Sequence, residues 1–384
     1  MKRKICFIIT SGIHFGRSRY ILEEIRNHPD LHLQLVVGAS ALLPQYGEVL
    51  SVMEASGFKP DAKIVMTLEG GNAVAMAKTA GIGITEFATA FDNLSPDVVV
   101  VRGDRYEVLS AAIAAAYMNI PVAHIEGGDV TGTIDESVRH AITKLAHIHF
   151  ATNEESKKRI LQMGEHPDFV HLVGSPELEF LAKNNFSLNE EYINMLGVGD
   201  TIDTKKPYLI VMQHPVTSEV GKNREHVEET LSAIQDLGIP TIWFWPNVDA
   251  GTDEVSKGIR MFRENQDPKN IRFLKYLPPD QFMSLLSGAS VLVGNSSAGI
   301  KEASFLGIPV VNIGTRQHGR MRSTNVKDVS YNKEEIKQAI REQLEHGNYE
   351  PSLLYFKENT SKDISNLLAQ TRLYTQKKFF HNEV

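Results

Sequence analysis

The chain has 384 residues, enough for two domains of ordinary size, and it is 42% hydrophobic and 23% charged, as is normal for a globular protein. Its formal net charge of -7 gives no general attraction to nucleic acid or to an anionic membrane surface. The single cysteine, Cys6, excludes an intramolecular disulfide framework and a cysteine-based zinc cluster.

The basic start of the chain precedes a short apolar run, which predicts a first β-strand and not a secretory signal. Residues 5–10 are too few for the apolar region of a signal peptide, and polar residues follow at once. No stretch approaches the length of a transmembrane helix. We therefore expect a cytoplasmic protein that has neither a membrane nor nucleic acid as a partner.

The first half of the chain alternates short β-branched runs with amphipathic segments. This alternation predicts βαβ units and a parallel sheet with right-handed crossovers. The predicted strands are residues 5–9, 33–37, 98–101, 122–125, 147–151 and, more weakly, 170–173. Helical patterns lie between them, for example at residues 19–26 and 107–118.

A break at residues 174–176 and a polar stretch at 199–207 precede a second series of the same kind. Its predicted strands are residues 208–212, 241–245, 271–273, 291–293 and 310–313. The sequence therefore predicts an α/β fold of two doubly wound, Rossmann-like domains with the ligand in the interdomain cleft. The expected limits are 1–176 for the first domain, 177–354 for the second, and 355–384 for a C-terminal segment. We expect that segment to be helical to about residue 379 and to pack back on the first domain.

Two predicted strands of the first domain each end in a segment that carries a carboxylate. Asp104 follows the strand at 98–101, and Glu126 follows the strand at 122–125. The carboxyl edge of an open α/β sheet is where ligands bind. Asp104 and Glu126 therefore predict a pair of groups for general acid/base catalysis.

A predicted helix begins shortly after Glu126. Thr133 is placed to cap it, and Asp135 lies in its first turn, where the helix dipole favours acids. Asp135 and Arg139 are four residues apart, so spacing alone predicts a capped helix with a surface ion pair. The closeness of this turn to Glu126 supports the other interpretation, that its acids reach the same crevice.

The first predicted strand is followed by a turn of small residues that leads into a helix. Such a turn can offer backbone N–H groups to an anion. Its glycine spacing does not match a dinucleotide fingerprint, so a Rossmann cofactor site is not predicted. An ordinary strand-to-helix turn and a ligand-contacting loop both fit this segment.

Polar residues also follow the predicted strands of the second domain. A glycine, two hydroxyls and a helix start at residues 294–297 are typical of a phosphate cradle. A histidine at a strand end meets a phosphate either as a cation or as a hydrogen-bond donor, and a structural role fits equally well. The candidates for a nucleotide diphosphate site are His214, Asn247, Ser296, Ser297, Glu302 and Arg316. An ATPase P-loop is excluded, because its motif is absent.

These motifs resemble the hydrolysing UDP-N-acetylglucosamine 2-epimerases and their relatives that act on bacillosamine-type UDP sugars. The matching segments run in order from about residue 100 to 326. They are residues 103–105, 124–128, 132–135, 139–147, 213–217, 246–251, 294–297 and 314–317. The resemblance implies a fold of the glycosyltransferase-B type, in agreement with the winding described above.

The resemblance also implies roles for individual residues. The expected catalytic residues are Asp104, Glu126, Asp135 and His214. The expected substrate-binding residues are Arg105, Arg139, His140, Asn247, Ser296, Ser297, Glu302, Arg316, His14 and Arg17. Among them, Glu302 corresponds to a ribose contact, and Ser296, Ser297 and Arg316 correspond to phosphate contacts.

Enzymes of this kind work by elimination followed by hydration. A base removes the proton at C2, UDP leaves from C1, and a glycal forms. Water then adds with inverted configuration at C2 and releases a free 2-epimeric sugar. The resemblance implies a UDP-sugar as the ligand and neither NAD nor a metal, and we expect a homo-oligomer, a dimer or a tetramer. Which carboxylate is the base stays open.

One segment departs from the family pattern. Where the family usually has Arg-Ala-Asp-Tyr or Arg-Ala-Asn-Tyr after the first strand, this chain has Gly12-Ile13-His14-Phe15. The arginine is lost, and the acid or amide has become His14. Arg17 or Arg19 is placed to compensate from the next helical turn.

The expected activity is a UDP-GlcNAc 2-epimerase that releases ManNAc and UDP, in a sialic acid or other surface-sugar pathway. One alternative is the same reaction on another UDP-HexNAc, such as UDP-2,4-diacetamido-trideoxyglucose. The others are a transferase on the same fold and a non-catalytic sugar-nucleotide binder.

Overall fold

Two seven-stranded sheets organise the chain. The computed structural model describes residues 1–44, 48–68, 72–247 and 249–381. The chain splits into two compact units. Unit 1 comprises Met1–Val130, Ile134–Lys183 and Tyr355–Val384, and unit 2 comprises Thr131–Thr133 and Asn184–Leu354. None of the described helices has the length and apolar character needed to cross a membrane.

The strands of unit 1 are β1 (Arg3–Ile9), β2 (Leu31–Gly38), β3 (Ala62–Ile64), β4 (Val98–Arg102), β5 (Val122–Ile125), β6 (Ile148–Ala151) and β7 (Val170–Leu172). Its helices up to residue 183 are α1 (Gly12–Asn27), α2 (Val49–Ala55), α3 (Ala73–Leu94), α4 (Tyr106–Tyr117), α5 (Ile134–Leu145), α6 (Glu154–Gln162) and α7 (Pro176–Lys183). α7, which follows the predicted domain limit at residue 176, belongs to unit 1.

The sheet of unit 1 has the order β3-β2-β1-β4-β5-β6-β7, and its neighbouring strands are parallel. Every residue of β4 and β5 is buried, as expected when helices cover both faces of a parallel sheet. The winding direction reverses between β1 and β4. The turns after these two strands therefore border the switch point, where such sheets bind ligands.

The strands of unit 2 are β8 (Val198–Gly199), β9 (Leu209–Met212), β10 (Thr241–Phe244), β11 (Ile271–Leu274), β12 (Val291–Gly294), β13 (Val310–Ile313) and β14 (Val326–Val329). Its helices are α8 (Glu190–Met195), α9 (Asn223–Leu237), α10 (Thr252–Gln266), α11 (Pro279–Ser287), α12 (Ser297–Ile300), α13 (Glu302–Leu306) and α14 (Lys333–His346).

The sheet of unit 2 has the order β14-β13-β12-β9-β10-β11-β8. Its strands are parallel except β8, which pairs antiparallel with β11. The switch point lies between β9 and β12. The predicted α/β fold with two doubly wound, Rossmann-like domains is confirmed.

The C-terminal segment contains a shorter helix than predicted. α15 (Thr360–Gln370) packs on α1 and α7. The prediction of helix to about residue 379 is wrong, because Thr371 is extended and the following side chains bind unit 1. Tyr374 Oη donates to His147 O at 3.1 Å, and Lys377 Nζ donates to Lys144 O at 2.8 Å. These tertiary contacts override helix propensity.

Candidate functional site

Hydrogen bonds hold the turn after β4 in a left-handed conformation. Gly103 has a φ of 77°, its N–H donates to Ile125 O at 2.9 Å, and its carbonyl accepts from His124 Nε2 at 2.8 Å. Because a carbonyl only accepts, the proton of His124 is on Nε2. Burial lowers the pKa of His124 to about 3, so the ring is neutral at physiological pH. Asp104 follows this fixed turn directly.

Glu126 follows β5 in a backbone conformation that non-glycine residues rarely adopt, with a φ of 70°. Its N–H donates to Phe150 O at 3.0 Å, which anchors the turn to β6. A Cβ placed on Gly103 would lie 3.8 Å from Glu126 Oε2 and 3.9 Å from His14 Nε2. The two side chains therefore converge on the Gly103 turn, and the strained backbone is typical of functional sites.

Asp104 lies beside a buried guanidinium. Arg139, on α5, donates from one NH2 group to the Asp104 carboxylate and from NH1 to Asp129 O at 2.9 Å. The side chain of Arg139 is 1% exposed and that of Asp104 is 27% exposed. The interpretation of Arg139 as half of a surface ion pair is therefore wrong. Asp135 lies one turn earlier on the same face of α5 and is half-buried.

His14 lies in the first turn of α1, and not in a loop. Ser11 caps this helix, since its Oγ accepts from His14 N at 3.2 Å. The imidazole ring of His14 is fixed at one nitrogen, because Nδ1 lies within hydrogen-bond distance of Thr10 Oγ1, at 2.9 Å. The departure from the family pattern thus alters a helix start at the switch point of unit 1.

Several charged groups surround the His14 ring. Burial is the largest influence on its pKa, followed by the positive charges of Arg102 and Arg105. The carboxylates of Glu126 and Asp104 oppose them, and the net effect lowers the pKa of His14 to about 3. A neutral imidazole therefore faces the two candidate carboxylates at physiological pH.

Arg102 is a site residue that the sequence reasoning missed, because it ends a run of four valines. Its Nε donates to Glu126 Oε2 at 3.0 Å. One of its terminal NH2 groups donates to the carboxylate of Glu177, in the first turn of α7. The sequence did carry one signal for Arg102, since a charged residue ends an otherwise apolar strand there.

The two arginines expected to replace the lost arginine differ in their surroundings. Arg19 donates to Glu23 Oε1 at 3.0 Å, four residues along α1, and its side chain is 43% exposed. Arg17 is half-buried, and its charge acts on Arg102. The expectation of compensation therefore rests on Arg17.

Two further predicted ligand contacts are held by neighbours on their own elements. Arg105 forms a forked pair with Glu107, with distances of 3.1 Å from Nε to Oε2 and 3.1 Å from the second nitrogen to Oε1. His140 Nε2 lies 3.8 Å from Glu136 Oε1. Burial, with the positive charge of Arg139, lowers the pKa of His140.

In unit 2 the side chain of Asn295 clamps both backbone groups of His214. Asn295 Oδ1 accepts from His214 N at 2.7 Å, and Asn295 Nδ2 donates to His214 O at 2.9 Å. The Asn295 N–H donates to Met212 O at 3.0 Å. These bonds join the ends of β9 and β12 at the switch point of unit 2.

The surroundings of His214 decide its tautomer. The backbone N–H of Asn247 donates to His214 Nδ1 at 3.2 Å. A backbone N–H only donates, so Nδ1 carries a lone pair and the proton is on Nε2. Of the two roles considered for His214, the geometry favours that of a neutral hydrogen-bond donor.

The predicted helix after β12 is two short helices. Ser296 caps α12, with Oγ accepting from Ala298 N at 3.3 Å, but α12 has only four residues. Lys301, with φ −105° and ψ −72°, separates it from α13. A helix of one turn has a weak dipole, so hydroxyl and N–H groups carry more of any anion binding than the sequence suggests.

Arg316 and Glu302 are the remaining residues of the predicted nucleotide site. Arg316 NH1 donates to Asn295 O at 3.1 Å. Glu302, the expected ribose contact, starts α13 and is 0% exposed. Within the described ranges, no group of three or more His, Cys, Asp and Glu side chains is arranged to hold a metal ion.

Comparison with known proteins identifies the family. The family model described as UDP-N-acetylglucosamine 2-epimerase matches residues 23–369. The chain belongs to the UDP-N-acetylglucosamine 2-epimerase family. The resemblance inferred from the motifs is confirmed, and this family member is a UDP-sugar 2-epimerase.

Two relatives and one solved structure illustrate the family. The UDP-N,N'-diacetylbacillosamine 2-epimerase (hydrolyzing) of Legionella pneumophila is 33% identical over 376 residues, 98% of each chain. The UDP-N-acetylglucosamine 2-epimerase of Neisseria meningitidis serogroup B is 33% identical over 352 residues, 91% of this chain and 89% of that one. The Methanocaldococcus jannaschii UDP-GlcNAc 2-epimerase, solved with UDP-GlcNAc and UDP, has a TM-score of 0.77 at 18% identity, covering 95% of this chain and 99% of its own. That likeness establishes the fold, which is of the glycosyltransferase-B type.

Proposed function

We propose that this epimerase is of the hydrolysing kind and converts UDP-N-acetylglucosamine to N-acetylmannosamine and UDP. One observation carries the proposal. Asp104 and Glu126 follow adjacent parallel strands, and each carboxylate accepts a hydrogen bond from a buried arginine. Two oriented carboxylates on one sheet edge suit a reaction with two proton transfers.

The first step is elimination. A carboxylate takes the proton from C2, and the bond from C1 to the diphosphate oxygen breaks, which leaves a glycal and UDP. The leaving group gains negative charge, so donors aimed at it lower the barrier. We assign this role to His214 through Nε2–H, with Ser296, Ser297 and Arg316, and we assign ribose binding to Glu302.

The second step is hydration of the glycal. Water adds its oxygen to C1, and a proton goes to C2 on the face opposite to the one that was deprotonated. Asp104, Glu126 and Asp135 supply the acid and the base for the two steps. Sugar contacts are assigned to His14, Arg17, Arg105, Arg139, His140 and Asn247. A cytoplasmic homo-oligomer, a dimer or a tetramer, remains part of this proposal.

A second substrate has specific support. The Legionella relative is named for UDP-N,N'-diacetylbacillosamine and aligns over 98% of the chain. The Gly12 and His14 exchanges alter the helix start beside the candidate carboxylates. A neutral imidazole there suits an uncharged hydrogen-bonding substituent, such as a second acetamido group. We therefore keep UDP-2,4-diacetamido-trideoxyglucose as the alternative substrate of the same reaction.

The test is to incubate the protein separately with the two UDP sugars in deuterated water. The proposal predicts UDP release from UDP-GlcNAc together with free ManNAc that carries deuterium at C2. Release from the diacetamido sugar alone would establish the alternative substrate. Epimerisation to UDP-ManNAc without UDP release would contradict hydrolysis. Glu126→Gln is the control, since its labelling rate should fall with its rate of UDP release.

A further inference from the structure

A buried guanidinium joins Glu126 to a second carboxylate in the interior of unit 1. Arg102 donates through Nε to Glu126 Oε2 at 3.0 Å and through a terminal nitrogen to Glu177. The side chains of Arg102 and Glu177 are 1% and 0% exposed, whereas that of Glu126 is 13% exposed. One cation therefore faces two anions, of which only one reaches the candidate site.

Four elements bring this set together. Arg102 ends β4, Glu126 follows β5, and Glu177 lies in the first turn of α7. From α1, Ser18 Oγ accepts from Arg102 at 3.4 Å. Burying such charges costs desolvation free energy that apolar side chains of similar volume avoid. The cost of burying these charges calls for a functional explanation. The contact of Arg102 with Glu126, a candidate catalytic carboxylate, provides that explanation.

We propose that Arg102 and Glu177 are positioning residues for Glu126. The carboxylates of Glu126 and Glu177 share the guanidinium of Arg102, and this sharing sets how readily Glu126 takes up and releases a proton. The inference rests on the proposed function, because only there does Glu126 transfer protons. A cation favours the ionised form of a carboxylate, and a nearby second anion opposes that effect. Asp104 is the contrast, since Arg139 binds that carboxylate and a backbone carbonyl, Asp129 O.

Other charged and titratable groups also lie near Glu126. His14 faces it from α1 and is neutral at physiological pH, because its pKa is about 3. Asp104 and Arg105 follow β4, and the charge of Arg17 acts on Arg102 from α1. Burial acts to lower the pKa of Arg102, but the carboxylates outweigh it and raise that pKa, so the guanidinium stays charged.

Two substitutions are expected to move the pH profile in opposite directions. Glu177→Gln removes the competing anion, so the limb of the kcat/KM profile that Glu126 governs, acidic if it is the base and basic if it is the acid, should move down by about 1 pH unit. Arg102→Met removes the cation, so the same limb should move up by about 1–3 units. A loss of packing alone would lower kcat/KM without displacing the limb in opposite senses.

Two further variants make the test decisive. Glu179→Gln changes a buried acid on the same helix, which is paired with Lys183 at 2.6 Å, and its limb should stay in place. If Arg102→Met does not fold, the double variant Arg102→Met/Glu177→Gln removes both charges and should fall between Glu177→Gln and the expected upward shift. Displacement of all limbs in one direction, or of none, would overturn the proposal.

The charge coupling is also measured without turnover. In protein labelled with ¹³C at the glutamate carboxyl carbon, the Glu126 resonance is assigned by its loss in Glu126→Gln. Its titration midpoint should move with the signs given above in Glu177→Gln and in Arg102→Met. Opposite shifts of this midpoint in a protein that turns over neither UDP sugar would reject the proposed function while leaving the coupling intact. Unchanged midpoints would reject the coupling itself.

Discussion

The two switch points have the same topology and opposite chemistry. In unit 1, the turns after β4 and β5 carry carboxylates, each paired with a buried arginine. In unit 2, the turns after β9 and β12 are joined by a neutral amide, through the bonds of Asn295 to the backbone of His214. The same order of the central strands therefore serves one region built around paired carboxylates and one built around a backbone turn that an amide side chain holds in place.

This difference predicts which kinds of substitution each region tolerates. Carboxylates that exchange protons need a charged environment whose balance is set by buried partners. A turn that offers donors to an anion depends on a fixed backbone. Substitutions that alter charge should therefore affect unit 1 most, and those that loosen the backbone should affect unit 2 most.

Removing either carboxylate should have the largest effect. We expect Asp104→Asn and Glu126→Gln each to lower kcat by about 10²–10⁴-fold, the usual cost of losing a proton-transfer group. The affinity for UDP, measured by calorimetry, should stay within a few fold of the original, because UDP binding is assigned to unit 2. Near-normal turnover in either variant would remove that residue from the mechanism.

On acidification, unit 1 should unfold at a higher pH than unit 2. Burial lowers the pKa of His124 to about 3 and that of His149 to about 4, from an ordinary 6.5. Below pH 6.5 the unfolded chain thus binds more protons than the folded chain does. The contribution of these histidines to the free energy of unfolding is therefore complete above that pH. It falls as the pH decreases, by about 1.4 kcal/mol per pH unit for each histidine. Both lie in unit 1, which should therefore unfold first.

The tryptophans make this test direct, because Trp243 and Trp245 both lie in unit 2. On acidification from pH 6.5 to 4, far-ultraviolet ellipticity should fall before tryptophan fluorescence changes. His149→Phe should reduce the gap between the two transitions. Coincident transitions in the unaltered protein would contradict the expected order.

Breaking the amide clamp of unit 2 should have an intermediate effect. Asn295→Ala leaves the buried N–H and carbonyl of His214 without their side-chain partners, which should lower the free energy of unfolding by about 1–3 kcal/mol. UDP affinity should fall with it, because the His214 turn loosens. Asn312→Ala is the matched control, since Asn312 is buried in β13 and donates to Asp328 Oδ1 at 2.7 Å. Equal losses of UDP affinity in the two variants would contradict a specific role for the clamp.

The smallest effect is expected at the cap of α12. Ser296→Ala removes the acceptor for Ala298 N and should cost about 1 kcal/mol in chemical denaturation. Ser297→Ala, one residue along, is the comparison and should cost less. The cap assignment fails if the two variants unfold at the same denaturant concentration.

Local patterns were sufficient for most of the framework. The β-branched runs predicted β5 and β13 at their observed limits, because a buried parallel strand needs little beyond its own apolar side chains. β8 was missed, since two residues ending in a glycine carry no period and owe their pairing to β11. β3 and β14 were missed too, and α1 begins seven residues earlier than the pattern at 19–26 indicated, because Ser11 caps it.

The candidate site was predictable only where its residues come from sheet edges. Asp104, Glu126 and His214 follow strands, and their positions follow from the winding. The partners of those residues do not, because Arg139 meets Asp104 across 35 positions and Arg102 meets Glu126 across 24. Spacing along one helix suggested Asp135 as a partner of Arg139, and it could not reveal the tertiary contact with Asp104. The roles of the site residues themselves stay predictions.

The C-terminal segment gives the two units an order of completion. Ile364 and Leu368 of α15 enter the same core as Ile21 and Leu22 of α1. Chains leave the ribosome from the N-terminus, so all of unit 2 is synthesised before the side chains that cover α1 become available. During translation, unit 1 therefore exposes the part of its apolar core that α15 later covers. Unit 1 is therefore the first unit to be synthesised and the last to complete its core.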